Sequence, residues 1–447
     1  MIENGITHII KRNGQIVQFD QDRITNAIFR AYLSIGGEDM EFAKKMSDKV
    51  VVVLNQTYSE EDYPSVEEIQ DVVVDVLDKE GFHKLAVSYQ EYRDERARLR
   101  EERESQIVVN DKVPYKILWE VYTWNVDQGC DTIDKLNKRV KDGTFPELVE
   151  EAEKKYHYDI DNLAERILRR IKDVRMIMVA GPSSSGKTTT TIKLGERLKK
   201  HGIDLVLIGL DNYFKDLESH PKDEYGDYDF ERPEALDIPL INEHLSDLLK
   251  GKTIQMPVYN FKIGKRKQKG VKFYVKPNQI ILIDSLHGLY KPITASVLED
   301  YKFKLYIEAL CQIKSPTGEF VRWADLRMLR RMVRDSWCRK YSPLQTVGHW
   351  HYVRRSEMKY IIPYIAQVDH IINGSLPYEL PVHKKYLFKY MDEILHTFEN
   401  QPKRIDALIR AQRVHKLLSA TEALNDDSCI PKDSLMREFI GGSVYKY

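Results

Sequence analysis

The chain has 447 residues, enough for two or three domains, and its 69 Lys plus Arg balance 69 Asp plus Glu to leave no formal net charge. That balance argues against nucleic acid or an anionic membrane as the partner. Cys130, Cys311, Cys338 and Cys429 lack C-x-x-C spacing and read as reduced thiols; with no basic-then-apolar leader and no run of 18 apolar residues, the expected location is cytoplasmic.

Residues 7–12 and 15–19 pattern as two strands around Asn13-Gly14, a strong hairpin signal. Helical periodicity follows over 23–33, 42–54 and 65–77. Ser65-Val-Glu-Glu68 forms a capping box ahead of the stripe Ile69, Val72, Val73 and Val76. These elements predict a small α+β domain. Lys11 and Arg12, adjacent on the hairpin, offer converging cationic donors for phosphate, or else are solvated surface charges. The set Lys11-Arg12-Asn13-Gly14, Phe19-Asp20, Arg23-Ile24, Ala27-Ile28, Ser65-Val-Glu-Glu-Ile-Gln70 and Tyr89-Gln-Glu-Tyr92-Arg93 resembles the ATP-cone, a regulatory nucleotide-binding module best known from ribonucleotide reductases and their repressor. The resemblance implies that Lys11, Arg12 and Arg23 meet the triphosphate of an ATP or dATP effector.

Charge of alternating sign over 91–104 predicts an exposed connecting helix. Aromatic and apolar helical patterns over 110–170 read as packing helices with no assigned chemistry. The expected organisation is therefore a regulatory domain over 1–100, a helical linker over 101–172 and a larger α/β domain with a C-terminal helical extension over 173–447.

That larger domain opens on a buried strand, Val174-Arg-Met-Ile-Met-Val-Ala180, then Gly181-Pro-Ser183-Ser184-Ser185-Gly186-Lys187-Thr188-Thr189 and a helical pattern. Strand, glycine-bounded loop and helix start are what a phosphate cradle requires: glycines let the backbone N–H groups converge, and the helix presents its positive end. Lys187 then reaches the β- and γ-phosphates of ATP, and the Thr188 hydroxyl can hold Mg²⁺.

A second strand, Leu205-Val-Leu-Ile-Gly209, delivers Asp211 to the same side, either as the base that takes a proton from an attacking hydroxyl or as a helix N-cap. A third, Gln279-Ile-Ile-Leu-Ile-Asp284, ends in a carboxylate suited to Mg²⁺. Helical spacing puts Arg331 and Arg334 on one face, able to close over a transferring phosphoryl group, or to form a salt-bridged surface helix. The basic stretch 262–276 reads as a solvated hairpin, His349 and His351 as core or surface histidines rather than a metal pair, and the apolar stripe of 403–418 as core or subunit interface.

The phosphate loop, Leu210-Asp211-Asn-Tyr213-Phe214, Tyr228-Asp-Phe-Glu231-Arg-Pro-Glu-Ala-Leu-Asp237, Pro257-Val-Tyr259-Asn-Phe261, the strand to Asp284 and the arginine block from Arg330 to Arg339 resemble, in order, the uridine kinase and phosphoribulokinase-like family. His287-Gly288-Leu289, Arg327 to Asp335, Trp350 with Val353-Arg354-Arg355, and Arg437-Glu-Phe-Ile-Gly-Gly-Ser443 bring it nearest a long bacterial branch of nucleoside-kinase-like proteins. The resemblance implies a P-loop kinase fold with a parallel sheet between helices. It further implies Asp211 as the base on a sugar hydroxyl, Glu231 on ribose, Tyr213, Tyr259 and Arg266 at the acceptor, and Arg331, Arg334 and Arg339 as a phosphate-binding lid.

Three departures bear on the acceptor: Gly264 replaces a base-reading histidine, Glu231 replaces a ribose-binding aspartate, and Asp284-Ser285 replaces Glu-Gly. The expected activity is ATP-dependent phosphorylation of a nucleoside, regulated at the ATP-cone and carried out by a homo-oligomer. The alternatives are a sugar or sugar-phosphate acceptor, or a nucleotide-sensing regulatory ATPase.

Overall fold

A computed structural model describes residues 6–10, 16–58, 63–106, 113–219, 232–260, 263–339 and 341–446. Lys11, Arg12 and Glu231 lie outside the described residues. The chain divides into two compact units, Met1–Asn110 with Leu395–Ile409, and Asp111–Ile394 with Arg410–Tyr447.

In the first unit β1 (His8–Ile10) pairs antiparallel with β2 (Ile16–Gln18), Ile10 opposite Ile16, on either side of the Asn13-Gly14 pair. Four helices follow: α1 (Asp22–Ser34), α2 (Met40–Thr57), α3 (Val66–Lys79) and α4 (His83–Gln106). The capping box read from sequence starts α3, with Ser65 Oγ accepting from the Glu68 N–H at 3.2 Å and Glu68 Oε2 accepting from the Ser65 N–H at 2.7 Å. Reciprocal caps of this kind satisfy two donors that the first turn leaves orphaned. The apolar stripes meet at Ile28, Val50, Leu54, Val73 and Leu77, all fully buried. Burying each contributes roughly 1.5–3 kcal/mol. The segment 395–409 belongs to this unit; its Asp406 pairs with Arg30 of α1 at 2.7 Å.

The second unit begins with α5 (Tyr115–Asp127), α6 (Ile133–Lys141) and α7 (Phe145–Arg169). Next come β3 (Met176–Ala180), α8 (Lys187–Lys199), β4 (Asp204–Gly209), α9 (Ile238–Leu249) and the short strands β5 (Ile254–Met256), β6 (Tyr259–Asn260), β7 (Lys265–Arg266) and β8 (Val271–Phe273). Then follow β9 (Gln279–Asp284), β10 (Lys302–Glu308), α10 (Trp323–Cys338), α11 (Pro343–Tyr360), β11 (His370–Asn373) and α12 (Glu379–Leu387). The remaining helices are α13 (Met391–Glu399), α14 (Ile405–Ser419) and α15 (Arg437–Ile440).

The main sheet is five-stranded and parallel, in the order β11-β10-β3-β9-β4. Every residue of β3 is buried, as an all-apolar strand covered on both faces by helices must be. The architecture is the helix-flanked parallel sheet that the sequence predicts. Register brings the carboxyl ends together: Val179 and Gly209 both stand opposite Asp284, and Glu308 stands opposite Asn373. In open α/β sheets the ligand crevice lies beyond those ends. Among the described residues no helix is long and apolar enough to cross a membrane.

Candidate functional site

The loop from Gly181 to Gly186 connects central strand β3 to α8, and its shape has identifiable causes. Gly181 packs so tightly against the Ile307 carbonyl that a Cβ would overlap it, and Gly186, at φ +95°, starts α8 from the left-handed region. Between them Ser184 holds φ +60°, the one non-glycine residue at positive φ among those described. That conformation costs a residue with a side chain about 1–2 kcal/mol.

Two arginines of α10 compensate. Arg330 Nη1 donates to the Ser184 carbonyl at 3.1 Å and Arg327 Nη1 to the Ser183 carbonyl at 3.1 Å. Both guanidinium groups are fully buried. Their charges are met by Glu379, at 2.6 Å from Nε and Nη2 of Arg330, and by Glu308 and Glu357, at 2.8 and 3.0 Å from Arg327. Consecutive carbonyls thus turn toward buried arginines, as in a backbone nest whose N–H groups face the other way, although the Ser185 N–H donates to the Pro182 carbonyl at 3.2 Å.

Lys187 Nζ donates to the carbonyls of Gly181 at 2.8 Å and Pro182 at 3.1 Å. Burial lowers the affinity of its ammonium for the proton, opposed by the charges of Asp284 and Glu438. Burial pushes the Asp284 carboxyl up to about 6, with Lys187 pulling it down and Glu438 and Asp211 pushing it further. Asp211, in the turn after β4, is exposed to solvent. The walls that crowd it raise its carboxyl above the ordinary value, and Lys187, then Arg339, oppose that rise.

Arg331 and Arg334, named from helical spacing, and Arg339, named from the resemblance, gather around one carboxylate that sequence reasoning passed over. Asp335, 1 % exposed, receives Arg334 Nε at 2.8 Å, Arg331 Nε at 3.2 Å and Arg339 Nε at 3.8 Å. Arg331 also reaches the Ser183 hydroxyl of the loop at 3.3 Å. The basic face is thus anchored beside the cradle.

The residues expected at the acceptor are placed differently from one another. Tyr213 is buried, with its hydroxyl 3.0 Å from His244 Nδ1, so its ring packs into the core. Arg266 of β7 donates to the Phe214 and Tyr213 carbonyls at 2.8 and 2.7 Å and to Asp237 at 3.0 Å, which ties down the turn carrying Asp211. The Tyr259 ring packs against Phe214 with centroids 5.6 Å apart, and its N–H donates to Asn212 Oδ1 at 3.4 Å. Gly264 sits at φ +66°, where a Cβ would come within 2.7 Å of Leu217 Cβ. Ser185 and Thr189 of the loop are fully buried, while Thr188 is half-buried.

Other concavities stand apart from this loop, among them one of about 740 Å³ between α7 and the segment 429–433. In the first unit a cavity of about 450 Å³ is lined by Ile9, Phe19, Arg23, Ile24, Ile69 and Tyr89, so Arg23 stands at its wall. In the second unit a cavity of about 640 Å³ runs beside edge strand β11, lined by Trp124, Asp159, Arg166 and His370 among others. Its charges are mixed in sign. His349 stacks on Tyr341 and His351 packs on Tyr352.

Comparison with known proteins agrees with this geometry. Residues 7–98 match the ATP cone domain and residues 176–377 match the phosphoribulokinase / uridine kinase family. A uridine kinase of Staphylococcus aureus is 30% identical over 166 residues, covering 37% of this chain and 70% of that one. Among solved structures, a possible uridine kinase from Bacillus stearothermophilus aligns at 15% identity and TM-score 0.31 over 48% of this chain and 97% of that one. A D-glycerate 3-kinase from Cryptococcus neoformans aligns at 14% identity and TM-score 0.25 over 58% and 87%. With the cradle, two strand-end carboxylates and sequence relatives in agreement, the chain belongs to the phosphoribulokinase / uridine kinase family of phosphotransferases and carries an ATP cone domain at its N-terminal end.

Proposed function

We propose that the chain transfers the γ-phosphoryl group of ATP to a hydroxyl of a nucleoside, of the uridine or cytidine kind, under control of ATP or dATP bound at the ATP cone. The observation that supports the chemistry is the convergence of Lys187, Asp211 and Asp284: one ammonium acts on both carboxyls, so all three groups share one crevice at the ends of β3, β4 and β9. The partial desolvation of Asp211 raises its basicity, the direction a general base needs.

In this reading Asp211 accepts the proton of the acceptor hydroxyl as it attacks phosphorus. Lys187 leaves its loop carbonyls for the β- and γ-phosphate oxygens, and the loop N–H groups from Ser183 to Thr189 hold the triphosphate. Arg331, Arg334 and Arg339, preset by Asp335, neutralise the charge of the transferring group. Asp284 and the Thr188 hydroxyl form an all-oxygen donor pair that suits Mg²⁺, which when bound neutralises phosphate charge. Arg23, with Lys11 and Arg12, would bind the effector's triphosphate.

One observation favours a different acceptor. Gly264 takes a left-handed conformation against Leu217, leaving an apolar contact and no base-reading side chain at that position. A sugar or sugar-phosphate acceptor is the second reading. Incubation with Mg²⁺, ATP and a panel of nucleosides and sugars, with phosphorylated product detected by mass spectrometry and Lys187→Ala as control, separates the two. Absence of product from every acceptor, with ATP bound, would favour a nucleotide-sensing role instead.

A further inference from the structure

The C-terminal segment contributes to the phosphate cradle a group that neither the loop pattern nor the proposed chemistry calls for. Glu438, in the short α15, is buried, and its Oε2 accepts from the Thr189 N–H at 3.1 Å and from the Thr189 hydroxyl at 2.6 Å. Thr189 is the third residue of α8, so its N–H is one of the donors the helix start leaves without an intrahelical partner. In a phosphate loop these donors are the ones that cradle the α- and β-phosphates. A carboxylate making two hydrogen bonds there has the charge and the acceptor geometry of a phosphate group. Glu438 also acts electrostatically on both Lys187 and Asp284, which places its charge within the same crevice.

The segment that carries Glu438 is seated on the cradle by neighbours on both sides. Leu435 packs directly on Gly186, and the Phe439 ring lies under the Arg330 guanidinium at 4.9 Å, the same arginine that shapes the loop at Ser184. The Trp337 indole N–H donates to the Phe439 carbonyl at 2.6 Å, joining the segment to the arginine-bearing helix α10. Immediately after α15, Gly441 and Gly442 hold φ of +86° and +76°, a pair of left-handed glycines at which the chain can turn.

We propose that residues 434–442 are a gate on the nucleotide site: Glu438 occupies the phosphate donors of Thr189 as a resident anion, and ATP enters by displacing it. The gate rests on the reading of Gly181–Thr189 as a nucleotide cradle. Its consequence is that the free enzyme holds its loop preformed and anion-filled, and that apparent ATP affinity is set by competition between two anions for one set of donors.

The test is titration of the full chain with Mg²⁺ and ATP, comparing wild type with Glu438→Gln and Glu438→Ala. Lys187→Ala defines the part of the binding that belongs to the cradle rather than to the ATP cone. Trp337 fluorescence reports the segment in the wild-type chain itself, with Trp337→Phe assigning the signal. The expected result is at least tenfold tighter Lys187-dependent ATP binding in both Glu438 variants, and a change in Trp337 emission on ATP binding to wild type that Lys187→Ala abolishes. Unchanged or weaker ATP binding in Glu438→Gln overturns the gate and leaves the cradle standing, since Glu438 would then be a cap that remains in place beside the nucleotide. A Trp337 signal that does not respond while ATP binds overturns it equally, and does so without any Glu438 variant. If no variant shows Lys187-dependent binding, the cradle reading fails and the gate with it.

Discussion

Replacing Arg330 with lysine isolates what the buried guanidinium does for the phosphate loop. Lysine keeps the charge facing Glu379 but has one nitrogen where arginine places three, so the bonds to the Ser184 and Gly374 carbonyls are lost. A hydrogen bond from a charged donor contributes about 1.5–3 kcal/mol. Without it, the left-handed φ of +60° at Ser184 is no longer compensated. The loop relaxes, and ATP must restore the cradle at a cost of about 1–2 kcal/mol, which weakens binding roughly 5- to 30-fold. Adding Ser184→Gly removes most of the local strain, because glycine adopts positive φ freely. The double variant is therefore expected to recover about fivefold of the lost ATP affinity. The assay is Lys187-dependent ATP binding together with the Michaelis constant for ATP, with thermal melting as a fold control. If Ser184→Gly fails to improve ATP binding in the Arg330→Lys background, the guanidinium stabilises the fold without shaping the loop, and the argument is wrong.

Asp211→Asn and Lys187→Ala are each expected to abolish product formation with the circular dichroism spectrum retained, and turnover in Asp211→Asn would refute its assignment as base. Burial, reinforced by Arg166, lowers the His370 imidazole from 6.5 to about 4. The fold favours its neutral form, so the stability this residue contributes is complete above about pH 6.5 and is lost as pH falls toward 4. Urea unfolding of wild type should accordingly fall relative to His370→Gln by about 2 kcal/mol between pH 7 and pH 4.5, partial solvation of the ring having reduced the full value; parallel profiles would contradict it. In the first unit, Arg23→Ala should weaken the ATP or dATP binding that survives Lys187→Ala, measured by calorimetry, and undiminished binding there would place the effector elsewhere.

How legible the molecule was depends on how local each cause is. The strand before Gly181 announced itself as an all-apolar run, and the Ser65 cap as a pattern four residues long; both are set by neighbours in sequence. Asp211 and Asp284 were legible because a strand followed by a carboxylate fixes which end of a parallel sheet the charge reaches. The partition within α10 was not. Arg327 and Arg330 are buried, while Arg331 and Arg334 face the site, because Glu308, Glu357 and Glu379 arrive from three separate segments to receive the first pair. Asp335 lay in plain view among the arginines, yet its role as the collecting point of Arg331, Arg334 and Arg339 depends on which helix face packs inward. Glu438 lies 249 residues from its partner Thr189, and no period or spacing connects them. Nor does anything in 395–409 mark it as part of the first unit, since its apolar positions have the ordinary helical spacing.

That last segment bears on how the protein can be made and dissected. The first unit is assembled from two stretches of chain with nearly 300 residues of the second between them, so it is discontinuous in sequence. A ribosome releases residues 1–110 long before Ile405, Ala407 and Leu408, buried residues of that unit, have been synthesised. The pair between Arg30 of α1 and Asp406 can therefore form only after residues 111–394 of the second unit have been synthesised. Cutting the gene after codon 110 keeps residues 7–98, which match the ATP cone domain, and removes the Arg30–Asp406 pair.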